Sequence, residues 1–370
     1  MTHNYLTVKG RRFHYIWLRD NCCCPACREP NSFQKIFQIN SLKEPPQPQS
    51  VEVTDNQLKI TWQEKEPCHQ SIFSIPWLLS HSYDQQNGYG DFHQKISRRN
   101  DCQILWDRPW LEANFPKKYD VQTDNSDGWK NQVITLGFAL LSNTDDLTSL
   151  AHSIGPLNQS EEGDIYRLIN LPRSDDLGQT GAGISAHNDN AYRDTSNLLA
   201  FLHCIESQAT GGESILMDGF RVAEDFQRDH PNYFQILAET PIQFQKFNTT
   251  QEIYHRREST LFELNSQGKV IAINFHPFRA SNWNIPFEKM ELYYEAYQAF
   301  LSYLENPDYT YSFRLEPGDC LVFQNVRLFH GRRAFDPTSG TRHLQLTYVE
   351  WDYFWGKENY KRFKHLYLNS

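Results

Sequence analysis

Between residues 120 and 355 the chain carries a long succession of short apolar or alternating runs, at 133–140, 165–171, 198–204, 213–217, 242–244, 261–264, 270–275, 310–315, 320–323 and 343–350. Such runs, bounded by Gly, Pro, Asn and Asp, read as strands. Helical spacing, with apolar residues three and four apart, is confined to 147–154, 222–228, 233–240 and 287–304. Many strands with a few flanking helices predict a mainly β chain whose core is a barrel or a two-sheet jelly roll rather than a doubly wound sheet. Neither the dinucleotide fingerprint nor the P-loop pattern is present, and no internal repeat is found.

The first 80 residues differ in character. Short alternating runs at 12–17, 51–53 and 58–62, broken by Pro45, Pro46 and Pro48, predict a small β-rich unit with little core of its own. Within it, four of the chain's eight cysteines crowd into six positions as Cys22, Cys23, Cys24 and Cys27. Thiols packed this closely suit a soft metal better than disulfides, and Zn²⁺ takes four tetrahedral S or N ligands. Cys24 and Cys27 sit at turn spacing and Cys22 adds a third thiolate; His69 is the best fourth ligand, with Cys68 competing. Free, partly buried thiols are the alternative. Residues 81–118 are polar and irregular and read as a connecting segment, leaving 119–370 as the main domain.

The net charge of −9, with no long Lys or Arg run, argues against a nucleic-acid binder. No apolar run is long enough to span a bilayer, and the first residues lack the pattern of a secretory signal, so no membrane partner and a cytoplasmic location are expected.

His187-Asn188-Asp189 is the only His-x-acid triplet among the 14 histidines. It follows a Gly-containing turn at 181–183 and precedes an expected strand, and positions i and i+2 of a strand share a face. His330, directly after a turn and a buried run at 317–325, supplies a distant third ligand. Two His and one carboxylate with open positions form the facial arrangement that favours non-haem Fe(II) and O₂ chemistry. Arg342 offers a planar fork for the distal carboxylate of a dicarboxylate cosubstrate.

The order His187-x-Asp189, His330, Arg342 resembles the Fe(II)- and 2-oxoglutarate-dependent oxygenases of the taurine dioxygenase superfamily. The segments 17–22, 202–205, 210–214, 218–220 and 328–333 resemble, more narrowly, the γ-butyrobetaine and trimethyllysine dioxygenase family, and the likeness runs over nearly the whole chain. It implies a double-stranded β-helix (jelly-roll) core with iron on His187, Asp189 and His330, and 2-oxoglutarate on Arg342 with Asn274 nearby. It also implies a small N-terminal zinc-binding domain using Cys22, Cys24, Cys27 and His69, with Cys23 spare. O₂ would be the second cosubstrate and a hydroxylated small molecule the product.

Family members that accept a trimethylammonium group surround it with aromatic rings. The matching positions here, counted without gaps, are Glu162, Tyr166, Gln179 and Tyr348. Only two are aromatic, and Tyr192 is a candidate replacement. The expected substrate is therefore a small cationic or zwitterionic amino compound, γ-butyrobetaine-like, with an aminophosphonate or free amino acid as alternatives. A metal-binding sensor without turnover and a zinc-mediated interaction protein are the rival readings. The aromatic stretch 353–367 is a candidate homodimer contact.

Overall fold

The structure is a computed structural model that describes residues 4–64, 68–84, 102–159, 163–170 and 177–368. The chain forms two compact units, residues 1–101 with 358–370, and residues 102–357. This differs from the expected division at both ends of the connecting segment. Trp106 and Leu111 are fully buried in the core of the larger unit. The Trp106 indole donates to the Leu136 carbonyl at 2.7 Å, and Arg327 donates to the Ile104 carbonyl at 2.7 Å. Isolated apolar residues without periodicity gave no sign of this in the sequence. Residues 102–118 also contain a helix, Arg108–Asn114, capped by Asp107, whose side chain accepts from the Trp110 amide.

The smaller unit holds a hairpin, Tyr5–Val8 with Arg11–His14, and an antiparallel three-stranded sheet of Pro48–Val53, Gln57–Trp62 and Gln70–Ser74. Strict alternation in Gln57–Trp62 turns Leu58, Ile60 and Trp62 inward, where all three are fully buried. They pack with Val8, Phe13, Leu18 and Phe73.

The larger unit is built on two sheets. One has six strands in the order Lys118–Asp120, Phe138–Ser142, Cys320–Gln324, Leu198–Ser207, Arg342–Glu350, Tyr166–Ile169; the other has four, in the order Tyr311–Phe313, Ser214–Asp218, Leu328–Arg332, Ile184–His187. All these pairings are antiparallel except Lys118–Asp120 with Phe138–Ser142. Side chains of both sheets, among them Leu198, Ala200, Phe323, Leu344, Leu216 and Leu328, share one core. On the reverse face of the six-stranded sheet, Leu199, Phe201, Val322 and Val349 pack with Trp129, Val133 and Trp351 from helices. A strand covered on both faces needs apolar residues at every position, which is why 198–202 and 320–323 are continuous apolar runs. The result is a mainly β chain with a jelly-roll core and helices outside it. Among the described residues no helix is long and apolar enough to cross a membrane.

The helices Leu147–His152, Gly219–Asp229, Pro231–Glu239 and Phe287–Glu305 lie where the spacing predicts them. The run 133–140, expected as one strand, is instead the end of a helix, Ser126–Leu136, followed by the strand Phe138–Ser142. Gly137, at φ 83°, provides the left-handed residue that ends the helix and reverses the chain. The C-terminal aromatic stretch is also used within the chain: it forms part of the helix Trp351–Leu368, with Phe354, Trp355 and Phe363 buried and Tyr353 and Tyr360 exposed.

Candidate active site and metal centres

The Ile184–His187 and Leu328–Arg332 strands pair so that His187 and His330 are direct cross-strand partners. Their rings lie 4.3 Å apart between centroids. Gly331 permits this approach, because a Cβ there would stand 2.5 Å from the Ile184 carbonyl oxygen. Asp189, two residues beyond the first histidine, turns its carboxylate between them: Oδ1 is 3.4 Å from His187 Nε2 and Oδ2 is 3.2 Å from His330 Nε2. One donor atom from each of the three residues lies within 4.8 Å of the others, a set able to hold a metal ion. His187 Nδ1 donates to the Ser185 carbonyl at 2.9 Å, which fixes the tautomer with Nε2 free for a metal.

The electrostatics agree with that donor set. Burial opposes ionisation of Asp189, yet the adjacent imidazoles, His330 foremost, hold its carboxyl well below the usual range. Burial lowers His330, keeping a neutral ring available for ligation. The Tyr348 hydroxyl donates to Asp189 Oδ2 at 2.8 Å, and burial first, then this carboxylate, raises its pKa.

Sequence reasoning did not find the framework beneath these ligands. Asn325 is fully buried; its Oδ1 accepts from the Asp189 amide at 2.8 Å, and its Nδ2 donates to the carbonyls of Asp189 at 2.8 Å and Ser196 at 2.9 Å. Asn188 Nδ2 donates to the carbonyls of Asn325 at 2.6 Å and Leu328 at 3.0 Å. Two amides thus tie the His187-Asn188-Asp189 segment to the approach of the His330 strand. A polar residue closing the buried run 320–324 was the available signal.

A cavity of about 270 Å³ opens over the three ligands, room for a small molecule. Arg342 lines it, its guanidinium 5.5 Å from the Phe335 ring centroid. Burial, then the neighbouring Arg332, brings Arg342 down to about 10, so it stays a cation at neutral pH. Gly212, at φ 77°, leaves space for this side chain: a Cβ would meet Arg342 Nε at 2.9 Å. Arg332 is occupied structurally, donating to the carbonyls of Gly178 at 3.0 Å, Thr180 at 2.6 Å and Ala182 at 2.6 Å.

Of the expected substrate residues, Tyr166 and Tyr348 line the cavity. Gln179 does not; its amide donates to the Arg167 carbonyl at 3.3 Å. Glu162 lies outside the described residues. Asn274, expected beside the cosubstrate, is buried away from the cavity. It accepts from Arg257 at 2.9 Å and donates to the Thr260 carbonyl at 3.1 Å and Glu263 at 2.9 Å. Its place at the end of a buried strand makes it a connector rather than a cavity group. Lys246, His276 and Arg279 line the cavity and were not anticipated. Lys246 had a signal, being a charged residue on the buried face of the alternating strand Ile242–Asn248.

The second donor group lies in the smaller unit. His69 Nε2 is 3.3, 3.8 and 3.5 Å from the sulfurs of Cys22, Cys24 and Cys27, and one donor atom from each of the four residues falls within 4.8 Å of the others. The Cys27 and Arg28 amides both donate to the Cys24 carbonyl at 2.9 Å, closing the turn between the thiols. The Trp62 amide donates to the His69 carbonyl at 2.9 Å, which fixes that residue at the end of the hairpin. Cys23 is outside the group and Cys68 is exposed. Burial, then Cys22, pushes the Cys27 thiol up to about 12, so a bound cation is what would favour its thiolate.

Residues 102–348 match the family described as taurine catabolism dioxygenase TauD, TfdA, and residues 5–79 match the γ-butyrobetaine hydroxylase-like N-terminal family. The chain is 30% identical over 350 residues to a γ-butyrobetaine dioxygenase from Pseudomonas sp. (strain AK-1), covering 92% of this chain and 88% of that one. It is 25% identical over 350 residues to the human γ-butyrobetaine dioxygenase, covering 91% and 88% of the two chains. A trimethyllysine dioxygenase from Meyerozyma guilliermondii is 25% identical over 366 residues, covering 94% and 90%. With a family match over residues 102–348, well over half of the chain and nearly all of the jelly-roll unit, the chain belongs to the TauD, TfdA family of dioxygenases.

Proposed function

We propose that this Fe(II)- and 2-oxoglutarate-dependent dioxygenase hydroxylates a small cationic or zwitterionic amino compound of the γ-butyrobetaine kind, with His187, Asp189 and His330 holding the iron and Arg342 the cosubstrate. The observation that carries the reading is the convergence of two imidazole Nε2 atoms and one carboxylate at the floor of a cavity that Arg342 also lines. Iron in such a site couples oxidative decarboxylation of 2-oxoglutarate by O₂ to hydroxylation of a C–H bond.

The chain's own residues set the geometry for that chemistry. The Ser185 carbonyl and the Tyr348 hydroxyl orient His187 and Asp189. Iron held by these three residues would keep positions open for cosubstrate and O₂. Arg342 meets the distal carboxylate with a charge-assisted fork. Leu202, Phe323, Leu344 and Leu346 give the cavity an apolar wall that limits water around the reacting atoms.

In the smaller unit, Cys22, Cys24, Cys27 and His69 are read as a structural zinc site that fastens the cysteine turn to the hairpin. The test is anaerobic reconstitution with Fe(II) and 2-oxoglutarate, then succinate release on adding O₂ and candidate substrates. His187→Ala and His330→Ala are expected to abolish succinate formation. Intact release in either variant refutes the iron assignment. Purified protein lacking zinc refutes the second site independently.

A further inference from the structure

Beside the cysteine group of the smaller unit lies a buried cation, Arg19. It stands in the last turn of the helix Tyr15–Asp20 and is 3% exposed. A guanidinium taken out of water needs anionic or hydrogen-bonding partners. Its Nε and Nη2 form a fork onto the Glu64 carboxylate, the second bond measuring 3.1 Å. Its Cζ lies 3.7 Å from the centroid of the Phe37 ring. Its Nη1 donates to Cys27 Sγ at 3.4 Å. Cys27 also holds the covering ring in place, because its carbonyl accepts from the Ile36 and Phe37 amides at 2.8 and 3.1 Å. Sulfur, carboxylate and ring thus converge on one cation.

Charge explains why a cation belongs there. A divalent ion on three thiolates and one neutral imidazole leaves the centre one unit negative. Cys22 and Cys27 are buried, and a net charge removed from water requires a partner. A hydrogen bond from a cation to a ligating sulfur supplies both charge and direction. We infer that Arg19 is the counter-cation of the Cys22, Cys24, Cys27 and His69 centre, a positioning residue that donates to the Cys27 thiolate and strengthens metal binding. The inference rests on the reading of these four residues as a metal site. The alternative is a mechanical role, in which Arg19 only clamps its helix to Glu64, two residues past the strand Gln57–Trp62. Glu64 separates the two. Without metal, Glu64 balances Arg19; with metal bound, the anionic centre does so as well. Glu64→Gln removes the first anion and leaves the second, so it should leave metal affinity unchanged or raise it, whereas a clamp would loosen.

The three-residue site contains no sulfur, so in the Co(II)-loaded intact chain the sulfur-to-cobalt charge-transfer absorption reports the four-residue centre alone. Its loss to a competing chelator measures affinity, and zinc is compared by displacing the cobalt. Arg19→Met is expected to weaken binding of both ions about 10- to 100-fold and to move the band to lower energy, since a thiolate that loses a donor gives up electron density more readily. Arg19→Lys keeps the charge and should stay within about 10-fold of wild type. Binding within about 3-fold of wild type, with an unmoved band, in Arg19→Met overturns the inference. So does Glu64→Gln if it weakens binding by about 10-fold or more, and this variant decides alone should circular dichroism show Arg19→Met unfolded. A wild-type chain that develops no such band sinks the metal-site reading and the inference with it; a wild-type band that is indifferent to Arg19 sinks the inference alone.

Discussion

Replacing Asn325 with alanine removes three hydrogen bonds at a position with no solvent exposure, two of them to the backbone of Asp189 and one to the Ser196 carbonyl. The Asp189 amide and two carbonyls lose their partners. A buried polar group left unpaired costs about 1–3 kcal/mol, so the variant should lose roughly 3–5 kcal/mol if entering water satisfies part of the deficit. The Asp189 backbone is also no longer tied to the approach of the His330 strand, and loss of such support weakens metal sites by about 10- to 100-fold. The measurements are denaturant unfolding of the metal-free protein and anaerobic Fe(II) titration of the folded variant. Asn325→Asp sharpens the test: its carboxylate still accepts from the Asp189 amide but turns a second acceptor toward two carbonyls, so it should be at least as damaging as alanine. A loss below about 1 kcal/mol together with unchanged Fe(II) affinity would show that the His187-Asn188-Asp189 segment is held by something else, and the argument would fail.

Three further outcomes are expected. Tyr348→Phe keeps the ring but removes the hydrogen bond to Asp189 Oδ2, and should weaken Fe(II) binding about 10-fold; unchanged affinity, read by the same titration, would mean that Tyr348 serves only as an aromatic wall. Gly331→Ala places a Cβ against the Ile184 carbonyl and should displace His330 from its partner strand, lowering Fe(II) affinity at least about 10-fold with circular dichroism preserved; normal affinity would show that the strands yield. Arg327→Met strips the guanidinium from Asp218, both side chains being fully buried, and should cost about 3–5 kcal/mol, or roughly 10 °C in melting temperature by calorimetry; a shift under about 2 °C would show that Asp218 finds another partner.

Strands enclosed on both faces were readable because burial on two sides demands an unbroken apolar run, as at 198–202 and 320–323. The run 133–140 looked the same in composition but crosses a helix end, and only Gly137 marks the change. The segment 102–118 defeated pattern reading because Trp106 and Leu111 are anchors without periodicity. The meeting of His187, Asp189 and His330 in one donor group, beside a cavity that Arg342 lines, was legible through order and residue type, because a facial donor set constrains both. Asn274 and Gln179 were misplaced because position in the chain does not say which way a side chain turns. Lys246 could have been found, since a lysine on the buried face of an alternating strand needs an electrostatic reason to be there.

The two donor groups differ sharply in how far apart their members lie along the chain. Cys22, Cys24, Cys27 and His69 all fall within 48 residues near the beginning, so that group can close soon after residue 70 leaves the ribosome. His187 cannot meet His330 until the four-stranded sheet has accepted one of its last strands, and a slip of one residue would turn either imidazole to the opposite face. Metal occupancy at the three-residue site would therefore report that synthesis had passed Arg332 and that the register was set. If the two groups hold zinc and iron as proposed, the zinc site can close earlier in synthesis than the iron site.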